Sequence, residues 1–220
     1  MVRYIDESFI KFFSELEINN STVWFDEHRK EYHSNVKDPF KLLVTDVIDL
    51  IRVSNPKIDI KPQEAIFRIN RDVRFSKDKT PYTTWCSAAI SPMGKKDDKN
   101  AGFYFRFTST EYSIGGGVHW PSTARLKSLR SKIINNKNDF YKIINDKKFI
   151  DTFGKLMDDE VYKVLPKSIK EHTEEIPELY YKNFFAMQNG DIKEFIKSES
   201  QLNFITDKYF VIKPLLDFLS

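Results

Sequence analysis

The sequence predicts an α+β domain in which helices precede and follow a mostly antiparallel sheet. Three changes of pattern along the chain support this prediction. Apolar residues recur every three or four positions in the first third, alternate with polar residues in the middle third, and return to helical spacing in the last third. No repeat, linker or composition shift divides the sequence, so a single domain over residues 1–220 is expected.

Three helices are predicted in the first third, each from an apolar face and a start signal. The first helix carries Phe9, Phe12, Phe13 and Leu16. Asn20 or Ser21 can cap a second helix, which carries Trp24, Phe25, His28 and Tyr32. Asp38 caps the third, Pro39 lies in its first turn, and an apolar stripe runs from Phe40 to Ile51.

Four strands are predicted in the middle third. Phe103, Phe105 and Phe107 alternate with polar neighbours, which is the period of a half-buried strand. Residues 112–118 form a returning strand, and residues 84–90 and 65–75 are two more. Residues 93–101 predict a charged surface loop between strands.

Helices are expected again in the last third. Trp120-Pro121-Ser122 marks the end of a strand and the start of a helix with Leu126, Leu129 and Ile133 on its apolar face. Pro166 and Pro177 predict an irregular segment. A C-terminal helix is interrupted or restarted near Pro214.

Composition indicates a cytoplasmic chain. The sequence has no apolar run near the roughly 20 residues that span a bilayer, so no membrane association is expected. Residues 1–7 lack the apolar core of a signal peptide, and the single cysteine, Cys86, has no partner for an intramolecular disulfide. No metal-ligand or nucleotide-binding motif identifies a cofactor.

The formal charge is concentrated in one segment, residues 67–82. The segment contains five basic residues against Asp72 and Asp78, an excess equal to the +3 of the whole chain. The basic residues are Arg68, Arg71, Arg74, Lys77 and Lys79. Because arginine presents a rigid fork that matches phosphate and carboxylate, this composition indicates an oxyanion site.

The same segment carries a family resemblance. Its pattern, R-x-x-R-D-x-R-F-S-x-D-K-x-P-Y, resembles the signature of the family called domain of unknown function 2461. Other marks of the resemblance are Asn19-Asn20 followed by Trp24-Phe25, the helix beginning at Pro39, Gly115-Gly116-Gly117 leading into Trp120-Pro121, and Arg130 in the helix that follows. The resemblance implies no particular activity.

As a strand, residues 67–75 would place Phe67, Ile69, Val73 and Phe75 on one face and the charged residues on the other. Arg71 interrupts that alternation. Either the strand bulges at Arg71, or its side chain is buried with a partner, because an unpaired buried charge is costly.

Three functions remain open from the sequence. The first is a pocket that binds phosphate or carboxylate through the five basic residues and Tyr82, with Asp72 or Asp78 as the acid or base of any phosphoryl or phosphodiester chemistry. The second is a nucleic-acid-binding module that uses the same cations. The third is an interaction scaffold, in which the charges form a structural salt-bridge web.

Overall fold

The computed structural model describes residues 2–220. The first third contains α1 (Glu7–Ile18), α2 (Thr22–Glu27), α3 (Arg29–Glu31), a π-helical segment (Tyr32–Lys37), α4 (Asp38–Ser54) and α5 (Pro62–Ala65). The middle contains β1 (Cys86–Ile90), a 3-10 turn (Gly94–Lys96), β2 (Gly102–Phe107) and β3 (Glu111–Val118). The last third contains α6 (Thr123–Asn135), α7 (Lys137–Ile144), α8 (Lys147–Phe153), α9 (Lys167–Lys170), a 3-10 turn (Pro177–Tyr180), β4 (Phe184–Asp191), α10 (Ile192–Lys197) and α11 (Gln201–Leu219).

The α+β prediction is confirmed. The four strands form an antiparallel sheet in the order β1-β2-β3-β4, with helices before and after it in the chain. The chain divides into two compact units. Unit 1 comprises Met1–Lys96, Tyr104–Ile114 and Asn189–Asp207, and unit 2 comprises Asp97–Phe103, Gly115–Gln188 and Lys208–Ser220. No helix within residues 2–220 is both long and apolar enough to cross a bilayer.

The core of unit 1 contains the predicted helical stripes together with Phe105 and Phe107. The whole α4 stripe from Phe40 to Ile51 is buried. The Phe40 ring lies 5.9 Å from that of Phe105 and 6.2 Å from that of Phe107. On α10, Phe195 stacks on Phe107 at 4.5 Å. Burial of these large side chains supplies the main apolar stabilisation of the unit.

Unit 2 depends on a close approach between β3 and β4. A Cβ atom on Gly115 would lie 2.0 Å from the carbonyl oxygen of Ala186, and one on Gly117 would lie 2.1 Å from that of Phe184. Gly117 also has a φ of +137°, a backbone conformation that residues with a Cβ atom rarely adopt. The triglycine therefore has a packing role, since any larger residue would separate the two strands.

Three predictions about individual elements are wrong. Residues 65–75 form isolated bridges and not a strand, and the fourth strand is β4. The second helix divides into α2, α3 and the π-helical segment. Pro214 lies inside a continuous α11, where the residues buried before and after it, among them Ile212 and Leu215, hold the helix in place.

Candidate functional site

The signature segment folds back on the chain that follows it. Antiparallel bridges join Ile66 to Ala88 and Asn70 to Tyr82. Backbone hydrogen bonds run from the Arg71 N–H to the Pro81 carbonyl (2.9 Å) and from the Thr83 N–H to the Ile69 carbonyl (2.8 Å). We call residues 66–88 the basic hairpin and residues 72–80 its tip. The predicted alternation reflects extended arms, but too few residues pair in succession to form a regular strand.

The base of the hairpin is fixed to the N-terminal helices. The Asn20 side chain accepts a hydrogen bond from the Tyr82 N–H (3.1 Å) and donates one to the Tyr82 carbonyl (2.9 Å). The Tyr82 ring stacks on Phe25 with centroids 4.0 Å apart. Tyr82 is 5% exposed, and burial raises the pKa of its hydroxyl. This environment suits a packing residue better than the ligand contact predicted for Tyr82.

Arg71 orders one side of the tip. Its Nη1 donates to Asp78 Oδ2 (2.5 Å) and to the Thr80 carbonyl (3.1 Å), and it also contacts the Thr80 hydroxyl. The Thr80 N–H donates to Asp78 Oδ1 at 2.9 Å. That backbone bond, followed by the Arg71 bond, lowers the pKa of Asp78 to about 2. Arg71 therefore has the partner that its position among apolar residues required.

Arg74 and Asp72 order the other side of the tip through a fork of two bonds. Arg74 Nε donates to Asp72 Oδ1 (2.9 Å) and Nη2 donates to Oδ2 (2.6 Å). These bonds lower the pKa of Asp72. Both predicted acid/base carboxylates are thus held ionised against arginines, an arrangement that disfavours proton transfer near neutral pH. Lys79 Nζ donates to the Val73 carbonyl at 2.9 Å.

Three cations of the hairpin form no direct ion pair with a carboxylate within residues 2–220. Arg68 and Lys77 are exposed and form neither a hydrogen bond nor an ion pair from their side chains within residues 2–220. Lys79 contacts a neutral carbonyl, so its charge is also uncompensated. The net +3 of the segment therefore remains available to a ligand.

Phe75 lies bare at the tip. It is 96% exposed, with the Arg74 guanidinium 5.8 Å from its ring centroid. Phe67, in the first arm, is 42% exposed. The expectation that Phe67 and Phe75 lie on one strand face does not hold, because residues 65–75 form isolated bridges and Phe75 is almost fully exposed. The resulting surface combines an exposed aromatic ring with uncompensated positive charge.

Aromatic residues that the sequence analysis did not select lie beside the hairpin arms, within unit 1. The Phe67 ring is 6.4 Å from Tyr104 on β2, and the Arg106 guanidinium is 5.9 Å from the Trp85 ring. Arg106 Nη2 donates to the Ser113 hydroxyl (3.2 Å), while its buried Nε has no hydrogen-bond partner in the described part of the chain. The alternation along β2 could have predicted this group of residues. It places Tyr104 and Arg106 on the face of the strand opposite the buried phenylalanines.

Other potential sites in unit 1 are less suited to anions. An open depression of about 490 Å³ is lined by Asp26, Arg29, Lys30, His33, Ser34 and Asp38. Its two acidic and two basic residues balance, and Arg29 is paired with Asp26.

Across residues 2–220, no group of three or more His, Cys, Asp or Glu side chains could hold a metal ion. Burial raises the pKa of the Cys86 thiol, which makes it a poor nucleophile.

The chain belongs to the family described as "Conserved hypothetical protein (DUF2461)", whose sequence profile matches residues 8–218. The match confirms the family resemblance identified from the sequence and extends over nearly the whole chain. Comparison with curated proteins and with solved structures finds no match for the chain.

Proposed function

We propose that the basic hairpin binds single-stranded nucleic acid. The observation that carries this proposal is the tip, where a 96% exposed Phe75 lies among cations whose nearby carboxylates are already paired. Single-strand binding combines positive charge along the phosphate backbone with aromatic rings that stack on bases. Both components occur here on an exposed, internally braced surface.

The cations supply the contact to phosphate. Arg68, Lys77 and Lys79 retain uncompensated charge, and Arg74 offers the donors that its fork with Asp72 does not use. The ion pair with Asp72 and the hydrogen bond to the Val73 carbonyl hold Arg74 and Lys79 in place before a ligand binds, which reduces the entropy lost on binding. Affinity of this kind depends on salt, because phosphate contacts release counterions.

The aromatic residues supply the contact to bases. The Phe75 ring is almost fully exposed to solvent. In the first arm, the half-exposed Phe67 lies next to Tyr104 of β2. Stacking on such rings contributes about 1–3 kcal/mol per base and tolerates any sequence. We therefore expect the affinity for single strands to depend only weakly on base identity. The sequence predicts a cytoplasmic location, and in the cytoplasm the single-stranded ligand would be RNA.

A pocket for a small phosphate or carboxylate, with Asp72 or Asp78 in phosphoryl chemistry, is a weaker proposal for the same segment. Arg71 and Arg74 direct donors toward carboxylates of the tip and not toward a shared ligand position. Both carboxylates have lowered pKa values and occupied oxygens. A purely architectural signature accounts for Arg71, Asp78 and Tyr82, but gives no reason for an exposed phenylalanine.

The test is fluorescence anisotropy with a labelled oligothymidylate of roughly 12 nucleotides. Because the Arg74 charge is already paired with Asp72, three phosphates are neutralised, by Arg68, Lys77 and Lys79. The logarithm of the association constant should then fall with the logarithm of salt concentration with a slope of about −2, and Lys77→Ala should reduce it to about −1.4. Phe75→Ala should raise the Kd roughly tenfold or more. Lys57→Ala, which removes an exposed lysine elsewhere in unit 1, is the matched control and should bind like wild type.

Inorganic phosphate is the second arm of the experiment. If the wild type fails to bind the oligonucleotide at low salt, or if Phe75→Ala and Lys57→Ala bind equally well, the nucleic-acid proposal is wrong. Displacement of the oligonucleotide by millimolar phosphate at constant ionic strength would instead favour the small-anion pocket.

A further inference from the structure

Unit 2 contains a buried arginine at a position that helical spacing reserves for an apolar residue. The buried residues of α6 are Leu126, Leu129, Arg130 and Ile133, which form one face of the helix. Arg130 is 7% exposed. A guanidinium is always charged near neutral pH, so its removal from water must be balanced by charged or polar partners.

The partners of Arg130 within residues 2–220 do not include a carboxylate. Nη2 donates one long hydrogen bond to the Tyr181 carbonyl (3.3 Å), and the buried Nε has no hydrogen-bond partner. The guanidinium carbon lies 4.9 Å from the centroid of the Tyr162 ring. Because a guanidinium has five N–H donors, most of its hydrogen-bonding capacity is unused.

A second cation lies against the same tyrosine. Lys182 Nζ is 5.7 Å from the Tyr162 centroid, and Glu160 lies 3.5 Å from that ammonium group. Within residues 2–220, Glu160 pairs with Lys182 and not with Arg130, so the group of Arg130, Lys182 and Glu160 around Tyr162 keeps a net positive charge. Burial lowers the pKa of Arg130, which is the direction expected for a charge without adequate compensation.

We propose that Arg130, with Lys182 and Tyr162, forms a site for a small oxyanion, either a phosphate or a carboxylate group. The ligand would accept hydrogen bonds from the unused guanidinium donors and supply the missing negative charge. The tyrosine ring fixes the plane of the guanidinium, so that its fork meets the oxyanion in a defined orientation. This site is independent of the basic hairpin, which belongs to unit 1.

Arg125 provides a matched comparison on the same helix. Its Nε is also buried and has no hydrogen-bond partner among the described residues, but its Nη2 donates to the Leu219 carbonyl at the end of α11. Helix C-termini carry partial negative charge, which compensates a cation there. Arg125 thus has a structural reason for its position that Arg130 lacks.

The experiment measures thermal unfolding in sodium phosphate and in sodium acetate, each against sodium chloride at equal ionic strength. Phosphate, acetate or both should raise the melting temperature of the wild type, and the more effective anion identifies the preferred group. Arg130→Met should abolish the response, and Lys182→Met should weaken it. Arg125→Met should retain the full response.

NMR of the arginine Nε–H groups in the wild-type protein gives a result that does not depend on the folding of a variant. The Arg130 resonance should shift saturably with the stabilising anion, while that of Arg125 should not. Absence of both a shift and an anion-specific rise in melting temperature would overturn the proposal. Arg130 would then be a structural residue that Tyr162 and the Tyr181 carbonyl suffice to hold.

Discussion

The base and the tip of the basic hairpin belong to one sequence signature but experience opposite environments. At the base, Tyr82 is 5% exposed, stacked on Phe25 and bound through its backbone by Asn20. At the tip, Phe75 is 96% exposed. The comparison separates a region that is packed against the fold from a region that is exposed to solvent. Substitutions at the base should therefore change stability, and substitutions at the tip should change binding.

Tyr82→Ala should produce the largest loss of stability. It removes a buried ring and its stacking with Phe25, a kind of change that costs about 3–5 kcal/mol in protein cores. Urea denaturation measures the effect, and Tyr82→Phe, which keeps the ring, should remain close to wild type. Equal stability of the alanine and phenylalanine variants would show that the base is not an anchor.

Asn20→Ala should have an intermediate effect. Two hydrogen bonds to the Tyr82 backbone are lost, and each contributes about 0.5–1.5 kcal/mol. Hydrogen exchange at the Tyr82 amide should also accelerate, because its acceptor is gone. Asn20→Asp keeps that acceptor but loses the donor, so protection of the amide should persist in this variant. An unchanged exchange rate in Asn20→Ala would contradict the anchoring role.

Acid should disorder the tip without unfolding the base. Asp78 has a folded-state pKa of about 2, below the unfolded value of about 3.9. Its contribution to order is therefore present above about pH 4 and is lost as pH falls through about 2. NMR of the Thr80 amide should follow this transition, and Asp78→Asn should remove it. A Thr80 signal that titrates identically in that variant would assign the transition to another group.

Phe75→Ala and Arg74→Ala should have the smallest effects on stability. Both side chains are exposed, and surface substitutions of this kind rarely change the free energy of unfolding by more than about 0.5 kcal/mol. Their melting temperatures should match wild type while oligonucleotide binding weakens. A sharp fall in the melting temperature of Arg74→Ala would instead favour the structural salt-bridge web.

A similar contrast exists between the arginines of the hairpin and Arg130. Arg71 and Arg74 are bonded to carboxylates where solvent already screens their charge, whereas Arg130 is buried beside an aromatic ring and a carbonyl. Exposed ion pairs contribute little to stability but fix geometry. A buried charge without a counterion is costly, and it is for this reason that Arg130 suggests a ligand.

Periodicity predicted the helices and strands whose packing follows directly from local pattern. The apolar stripe from Phe40 to Ile51 is buried, and so are the alternating residues Phe103, Phe105 and Phe107. Periodicity failed for β4, whose sequence does not alternate clearly. That segment becomes a strand because Gly115 and Gly117 allow its backbone to approach β3.

The sequence by itself determined the α+β class, the family and the segment that holds the excess charge. These are properties of composition and local spacing, which do not depend on distant contacts. Tertiary structure alone decided that Tyr82 is buried while Phe75 is exposed, and that Arg130 has no carboxylate partner among residues 2–220. Burial and ion pairing depend on which distant residues come into contact, and spacing along one chain does not specify those neighbours.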